Sequence, residues 1–308
     1  MSVRETTVLF DGITAFILAV IPLYFIELRR RVRAYKITDP APYYLLACLL
    51  GALWLTIFYG SFIEPKLLTT KAYDVALGDT GGRLKIAVVS DTHLGVFEQR
   101  EWLNKIADRV NALWPDLVIL DGDLVVNLAG LDSLEPLSRL KSRLGNYAAL
   151  GNFDYRVGAV DVRRRVESYG VEVLTNESVP LSGAGGRRSV RLIGLDDLWF
   201  GDPDWDKALA DVRPGDLKIL VGHNPDFAPK AEASGVDLLI SGHTHGGQIR
   251  LPLIGPLTRL PITIGQRFDR GLFDFGKLQL FISSGTGESG TRARLFCPPE
   301  ISLLNVSF

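Results

Sequence analysis

Two long apolar runs dominate the first part of the chain. Residues 43–63 carry no charge, and as an α-helix they would extend about 31 Å, which matches the hydrocarbon thickness of a bilayer. The earlier run, at about 8–28, is of similar length; it contains Asp11 and Pro22, and proline is tolerated in membrane helices. Its basic residues follow the run, unlike those of a cleaved signal peptide. We therefore predict a membrane anchor over residues 1–70 with these two spans.

From residue 71 to residue 308, short runs of Val, Ile and Leu alternate with helical patterns. Strands are predicted at 84–90, 116–120, 147–151, 190–195, 217–222, 236–240, 278–283 and 301–306, and helices at 99–113, 133–143 and 159–169. Continuous apolar runs separated by helices are typical of strands that are buried on both faces. This pattern predicts one α/β domain with layered sheets.

The linker between the two spans is basic. It contains Arg29, Arg30, Arg31, Arg33 and Lys36. By the positive-inside rule the linker is cytoplasmic, which places both termini and the α/β domain outside. The alternative is that the basic run only contacts anionic headgroups while another factor sets the topology.

Composition excludes some classes of function and shows that histidine is rare in this chain. A net charge of −1 and a pI near 6.4 argue against a nucleic-acid partner. One of the two cysteines, Cys48, lies in the second span, so the α/β domain has no cysteine pair of its own. The chain has only four histidines. All four follow apolar runs and stand near Asp, Asn or Gly.

Five predicted strands are each followed by potential metal ligands. These are Asp91 and His93, Asp123, Asn152, His223, and the pair His243 and His245. In open α/β sheets ligands bind at the carboxyl ends of strands, so we expect these side chains to lie together. Each motif alone is also a common turn. Their joint occurrence after five strands favours a metal site.

The donor types restrict the metal. Imidazole and oxygen donors without thiolate suit Mn, Fe(II) or Zn. Seven donors exceed what one tetrahedral zinc ion takes. The set therefore indicates two divalent ions that share a bridging carboxylate.

The order of these motifs along the chain resembles that of the calcineurin-like metallophosphoesterases. The order Asp-x-His, Gly-Asp, Gly-Asn, Gly-His and Gly-His-x-His matches that family over residues 83–308. The strings "GHTHGGQIRLPLIGP" and "SSGTGESGTRARLFCPPEISLL" are similar to its membrane-associated bacterial branch. The resemblance implies a four-layer α/β/β/α sandwich, preceded here by two transmembrane helices, in a bacterial plasma membrane.

The resemblance also implies roles for individual residues. Asp91, His93 and His245 would hold one metal. Asn152, His223 and His243 would hold the other, and Asp123 would bridge the two ions. Asp123, Asn152 and His243 are also expected to take part in catalysis. Further roles are open: Asp121 and Asp154 could orient ligands or stabilise turns, and Asn224 could contact substrate or cap the following helix.

The third motif departs from the family pattern. The family usually has Gly-Asn-His-Asp/Glu, whereas this chain has "GNFD" with Phe153 in place of the histidine. That histidine is commonly the general acid, and Phe153 has no proton to give. Some relatives that cleave a nucleotide-lipid diphosphate also lack it, so activity need not be lost.

The expected function is a two-metal phosphoesterase in which a bridging hydroxide attacks phosphorus. Its substrate would contain a phosphodiester or diphosphate. The apolar, Pro-rich stretch 251–265 favours a membrane-associated or lipid-linked substrate, although it could simply pack on the core. One alternative is a hydrolase of the UDP-2,3-diacylglucosamine type in lipid A synthesis, but that substrate is cytoplasmic and conflicts with the charge rule. Another is a non-catalytic membrane scaffold on the same fold.

Overall fold

The computed structural model describes residues 3–35 and 39–308, and it begins with two long helices. Helix α1 spans Val3–Tyr35 and α2 spans Ala41–Phe58; α2 continues through single turns at Tyr59–Ile63 and Glu64–Lys66. Both are long and apolar enough to cross a membrane, and few of their side chains are buried. The predicted spans fall within these helices. Lys36 of the basic linker lies outside the described residues.

The rest of the described chain forms two six-stranded sheets and a small hairpin. The strands are β1 (Thr69–Ala76), β2 (Arg83–Ser90), β3 (Leu117–Asp121), β4 (Asn146–Ala149), β5 (Glu172–Val173), β6 (Glu177–Pro180), β7 (Val190–Gly194), β8 (Leu217–Val221), β9 (Leu238–Ser241), β10 (Arg250–Leu251), β11 (Gly255–Pro256), β12 (Gly271–Phe275), β13 (Leu278–Ile282) and β14 (Glu300–Ser307). The first sheet has the order β1-β14-β2-β3-β4-β5 and the second the order β12-β13-β9-β8-β7-β6. Strands β10 and β11 pair only with each other.

Helices cover the outer face of each sheet. These are α3 (Arg100–Ala112), α4 (Asn152–Glu167), α5 (Trp205–Leu209) and α6 (Ala228–Ala233). Alternate residues of β2 serve different cores: Ile86 and Val88 pack between the two sheets, whereas Ala87 and Val89 pack under α3 and α4. A third core separates the second sheet from α5 and α6. Three cores between four layers confirm the predicted α/β/β/α sandwich.

The predicted helix at 133–143 is wrong. The structure instead has two 3₁₀ segments, Leu128–Ser133 and Glu135–Arg139. Four buried leucines recur at every third position, at Leu131, Leu134, Leu137 and Leu140. That spacing matches the three residues per turn of a 3₁₀-helix better than the 3.6 of an α-helix. The local apolar period therefore explains the difference.

Two other boundaries differ from the prediction. Helix α4 starts at Asn152, earlier than the predicted 159, and bends at Gly158, where φ is 131°. Strand β1 starts at Thr69 and pairs in parallel with β14. The predicted division between residues 70 and 71 therefore falls inside a strand, and the chain enters the sheet almost directly from the second apolar helix.

Candidate metal centre

The loops that follow β2, β3, β4, β8 and β9 bring the seven predicted ligands to one place. Six of them form two buried groups whose ligand atoms lie within 4.8 Å of one another in each group. The first group is Asp91, His93 and His245; the second is Asp123, His223 and His243. Asn152, at the start of α4, is also buried. The pair His243 and His245 thus contributes one imidazole to each group.

Asp123 lies between the two groups. Its Oδ2 is 3.6 Å from Nε2 of His93 and 3.2 Å from Nε2 of His223. Asp91 Oδ1 is 3.3 Å from Nε2 of His245 and 3.8 Å from Nε2 of His223. Both carboxylates thus reach a histidine of each group, and Asp123 has the shorter contact with His223 of the second group. This position suits the bridging role that the family resemblance implies for Asp123.

The backbone is strained where it carries these side chains. Five ligands have left-handed φ angles: Asp91 (53°), His93 (46°), Asp123 (52°), His243 (67°) and His245 (52°). Non-glycine residues rarely adopt this conformation, and it persists only where the surrounding structure enforces it. Strain concentrated at metal-seeking residues marks the site as functional.

Two glycines allow the loops to approach each other. A Cβ on Gly242 would lie 1.9 Å from Ser90 Oγ and 2.5 Å from Asp91 Oδ2. A Cβ on Gly151 would lie 2.3 Å from Asp123 Oδ1. A side chain at either position would therefore displace a predicted ligand, so glycine is required by close approach.

Several buried polar atoms of the predicted ligands have no hydrogen-bond partner. Among the described residues, none forms a hydrogen bond with Nδ1 of His93, Nδ1 of His245 or Oδ1 of Asn152. Nε2 of His223 also lacks a hydrogen bond and has the Asp123 carboxylate 3.2 Å away. Buried polar atoms without partners are costly. Nδ1 of His223 lies 2.8 Å from the Asp121 carbonyl oxygen, which directs Nε2 into the site. The residues present therefore fit divalent metal ions.

The electrostatics of the site also suit metal binding. Burial lowers the pKa of His93 and of His243 to about 4, and it lowers the pKa of His245 well below its usual value. These three imidazoles are neutral at pH 7 and keep a lone pair for a metal. Burial opposes protonation of His223, but the carboxylates of Asp123 and Asp91 raise its pKa well above the usual value. A metal bound there would displace a proton.

Asp154 and Asp121 differ in their contacts. Asp154 Oδ1 accepts hydrogen bonds from the backbone N–H groups of Leu124 and Val125, and its Oδ2 accepts one from Gly151. It therefore ties the loop after β3 to the start of α4 and positions Asp123 and Asn152. Asp121 contributes its backbone carbonyl, whereas its buried carboxylate has no hydrogen-bond partner in the described chain.

The structure gives Asn224 a capping role. Its side chain accepts a hydrogen bond from the backbone N–H of Asp226 at 2.9 Å, at the start of the turn Pro225–Phe227. It is buried and does not line the cavity beside the ligands. Its Oδ1 therefore caps this turn, whereas its buried Nδ2 has no hydrogen-bond partner among the described residues.

Phe153 lies directly against the ligands. Its backbone N–H donates to Asp123 Oδ1 at 2.7 Å, and its ring meets the His93 ring edge-on with centroids 4.8 Å apart. The Arg156 guanidinium stacks on the Phe153 ring at 5.0 Å and on the Phe200 ring at 5.0 Å. The departure from the family motif thus places an aromatic ring beside the ligands and under a cation.

A cavity of about 330 Å³ opens onto the ligands. Besides the predicted residues it is lined by Arg156, Trp199 and Arg259, which sequence reasoning missed. Arg156 follows Asn152 by four residues on α4, and residues four apart lie on the same face of a helix. This spacing could have placed Arg156 beside Asn152 from the sequence. Trp199, whose ring meets His243 edge-on at 4.4 Å, comes from a loop after β7 and has no such signal. Two arginines at the mouth suit an anionic substrate.

The site combines imidazole and oxygen donors at the adjoining edges of two sheets with a cavity that two arginines line. This combination is typical of a metal-dependent enzyme with an anionic substrate. The chain belongs to the calcineurin-like phosphoesterase family, whose model matches residues 84–247. The predicted class, a hydrolase of phosphoester bonds, is confirmed at the level of this family.

Relatives with this domain occur in bacteria and animals. Metallophosphoesterase Cj0846 of Campylobacter jejuni is 33% identical over 78% of this chain and 64% of that protein. Phosphodiesterase YaeI of Escherichia coli is 32% identical over 80% of this chain and 92% of that protein. A Bos taurus transmembrane protein with metallophosphoesterase domain is 32% identical over 78% of this chain and 57% of that protein. The chain thus spans less than two thirds of the Campylobacter and bovine proteins.

Proposed function

We propose that this protein hydrolyses a phosphodiester or diphosphate bond with two divalent metal ions. Asp91, His93 and His245 would hold one ion, and Asn152, His223 and His243 would hold the other. Asp123 would be the ligand shared by both ions. The observation that carries this proposal is the position of the Asp123 carboxylate, within 3.6 Å of one histidine from each group.

When bound, two such ions lower the pKa of a shared water and neutralise charge on the phosphoryl oxygens. The chain's own residues orient the site. Asp154 fixes Asp123 and Asn152 through backbone N–H groups, and the Asp121 carbonyl fixes the His223 ring. Arg156 and Arg259 at the cavity mouth attract the phosphate and hold it against the ligands.

A membrane-associated or lipid-linked substrate is favoured by the surroundings of the cavity. Ile249 lines both this cavity and a smaller apolar one between the two long helices and the domain. The adjoining hairpin β10–β11 exposes Leu253 and Ile254 at its tip. At the base of the hairpin, the Arg250 N–H donates a hydrogen bond to the Leu295 carbonyl oxygen. The neighbouring Arg294 N–H donates to the Gly60 carbonyl oxygen at the end of the second apolar helix. The cavity is therefore close to the end of the second apolar helix, which supports a substrate that is presented at a membrane.

We also propose that the domain lies on the extracytoplasmic side of a bacterial plasma membrane. Thr7, near the start of α1, donates a hydrogen bond to Gly290 of the domain, and Gly60, near the end of the second apolar helix, accepts one from Arg294. The start of α1 and the domain are thus on one side, and the basic linker is at the opposite end. The positive-inside rule assigns that opposite end to the cytoplasm. A cytoplasmic hydrolase of the UDP-2,3-diacylglucosamine type is the alternative.

The first prediction tests the bridging role. Asp123→Ala should lower kcat/KM for bis(p-nitrophenyl) phosphate by at least about 10²- to 10³-fold, because it removes the carboxylate between the two ions. Asp161→Ala, a change of an exposed aspartate on α4, is the control and should leave the rate unchanged. Circular dichroism checks that both variants are folded. A fully active, folded Asp123→Ala enzyme would refute the mechanism.

The second prediction concerns Phe153. Without an imidazole acid, the enzyme should favour leaving groups that are stable without a proton, such as phosphate and aryloxide, over alkoxides. General acid catalysis is worth about 10²- to 10⁴-fold, so Phe153→His should improve alkyl substrates selectively. Phe200→His is the matched control, because Phe200 also contacts the Arg156 guanidinium but does not line the cavity.

The measurement is kcat/KM plotted against leaving-group pKa. A steep dependence that flattens only in Phe153→His is expected. A flat plot for the unmodified enzyme would show that another group already supplies the proton.

The third prediction concerns topology. Alkaline phosphatase fused after Phe308 should be active in intact bacteria, because that reporter folds only outside the cytoplasm. Neutral replacements of Arg29, Arg30, Arg31 and Arg33 should reduce its activity, since these residues supply most of the basic bias. An inactive reporter on the unmodified chain would place the domain in the cytoplasm.

A further inference from the structure

A second cavity of about 260 Å³ lies where the two long helices meet the domain, and it shares no lining residue with the cavity at the candidate metal centre. Its walls come from three segments. The end of the second apolar helix contributes Phe62 and Lys66; the region around the start of α3 contributes Glu98 and Lys105; and the loop before β14 contributes Glu288. No predicted metal ligand lines this cavity.

Two glutamates in this cavity are held in unfavourable surroundings. Glu288 is only 5% exposed, and its Oε1 has no hydrogen-bond partner among the described residues. Burial raises the pKa of Glu288 to about 7; the Arg294 charge opposes this shift and the Glu98 carboxylate adds to it. Burial likewise raises the pKa of Glu98 to about 7. A cationic hydrogen-bond donor between the two carboxylates would supply the missing hydrogen bond and would stabilise their charged forms.

Cations line the same cavity. Lys66, Lys105 and Arg292 are all exposed side chains in its wall. Arg292 stacks on the Phe97 ring at 5.5 Å, and Lys105 lies 5.8 Å from the centroid of Trp102. These cations disfavour a free divalent metal ion beside the glutamates, because like charges repel. They suit an anionic phosphate on the same ligand.

The cavity sits at the level where lipid headgroups would lie. Lys66 ends the turn that directly follows the second apolar helix. Arg292 lies 3.9 Å from Asp11, which is in the first turn of the apolar run of α1. Charged residues that flank apolar spans occupy the headgroup region of a bilayer. At about 260 Å³ the cavity is smaller than sites for drug-sized molecules, which suits a headgroup whose acyl chains remain in the membrane.

We propose that this cavity binds the zwitterionic, amine-bearing phosphate headgroup of a membrane lipid, with the amine at Glu98 and Glu288 and the phosphate at Lys66, Lys105 and Arg292. The primary amine donates hydrogen bonds to the two carboxylates. A headgroup with no net charge matches a cavity that contains both signs of charge. This binding is independent of hydrolysis at the metal centre.

The test is lipid retention by the full-length protein, measured by native mass spectrometry after release from nanodiscs. The nanodiscs contain equal amounts of phosphatidylethanolamine, phosphatidylglycerol and phosphatidylcholine with the same acyl chains. Phosphatidylethanolamine should be retained preferentially, because phosphatidylglycerol lacks the amine and the quaternary amine of phosphatidylcholine has no N–H. Glu98→Gln and Glu288→Gln should each reduce this preference about tenfold, which corresponds to one lost charged hydrogen bond.

Controls separate the site from general effects. Glu172→Gln removes an exposed carboxylate on β5 and should leave the preference unchanged. All three variants should hydrolyse bis(p-nitrophenyl) phosphate at the rate of the unmodified protein, which shows that they are folded. Lys105→Gln should weaken retention of both phosphatidylethanolamine and phosphatidylglycerol.

Three results would overturn the proposal. One is equal retention of the three lipids by the unmodified protein, and another is a preference that survives both glutamate substitutions. The third is binding of soluble glycerophosphoethanolamine with no selectively retained lipid, which would exclude a lipid as the source of the headgroup. Loss of hydrolysis in Asp123→Ala would leave the lipid result unaffected, so the two proposals fail separately.

Discussion

The structure depends on one electrostatic constraint: seven metal-seeking side chains are buried together where the edges of two sheets meet. Without positive charge between them, Asp91 and Asp123 repel each other, and several imidazole and amide atoms lack partners. Five of the predicted ligands have left-handed φ angles, and Gly151 and Gly242 let the loops that carry ligands approach closely. Both features hold the side chains in this arrangement. The layered sheets supply the rigidity that maintains the strain.

The second long helix and the candidate metal centre are connected through a short series of hydrogen bonds. Arg294 is fully buried, and its backbone N–H donates to Gly60 at the end of the apolar helix. Its guanidinium donates to the carbonyl oxygens of Ser284 and Gly287. The Gly287 N–H in turn donates to the Asp91 carbonyl oxygen at 2.8 Å. The end of the second long helix is therefore fixed relative to a predicted metal ligand.

Most of the strands and all seven candidate ligands could be predicted from the sequence, because the apolar runs that form the strands are continuous and the candidate ligands directly follow them. The four-layer order came from the resemblance to a known family. Other features were set by tertiary contacts. The leucine period at Leu131–Leu140 favoured 3₁₀ turns over a helix, β1 is stabilised by pairing with the distant β14, and Trp199 reaches His243 from a loop without a local signal. The cavity between the second apolar helix and α3 joins three segments that are far apart in sequence, so no sequence pattern could reveal it.

The central claim is that Asp123 lies between two metal ions, and anomalous diffraction from crystals grown with Mn²⁺ tests it most directly. Our account predicts two anomalous peaks about 3.5 to 4 Å apart, one beside His93 and His245 and the other beside His223 and His243, with the Asp123 carboxylate between them. A single peak at saturating Mn²⁺, or two peaks that do not share Asp123, would contradict it.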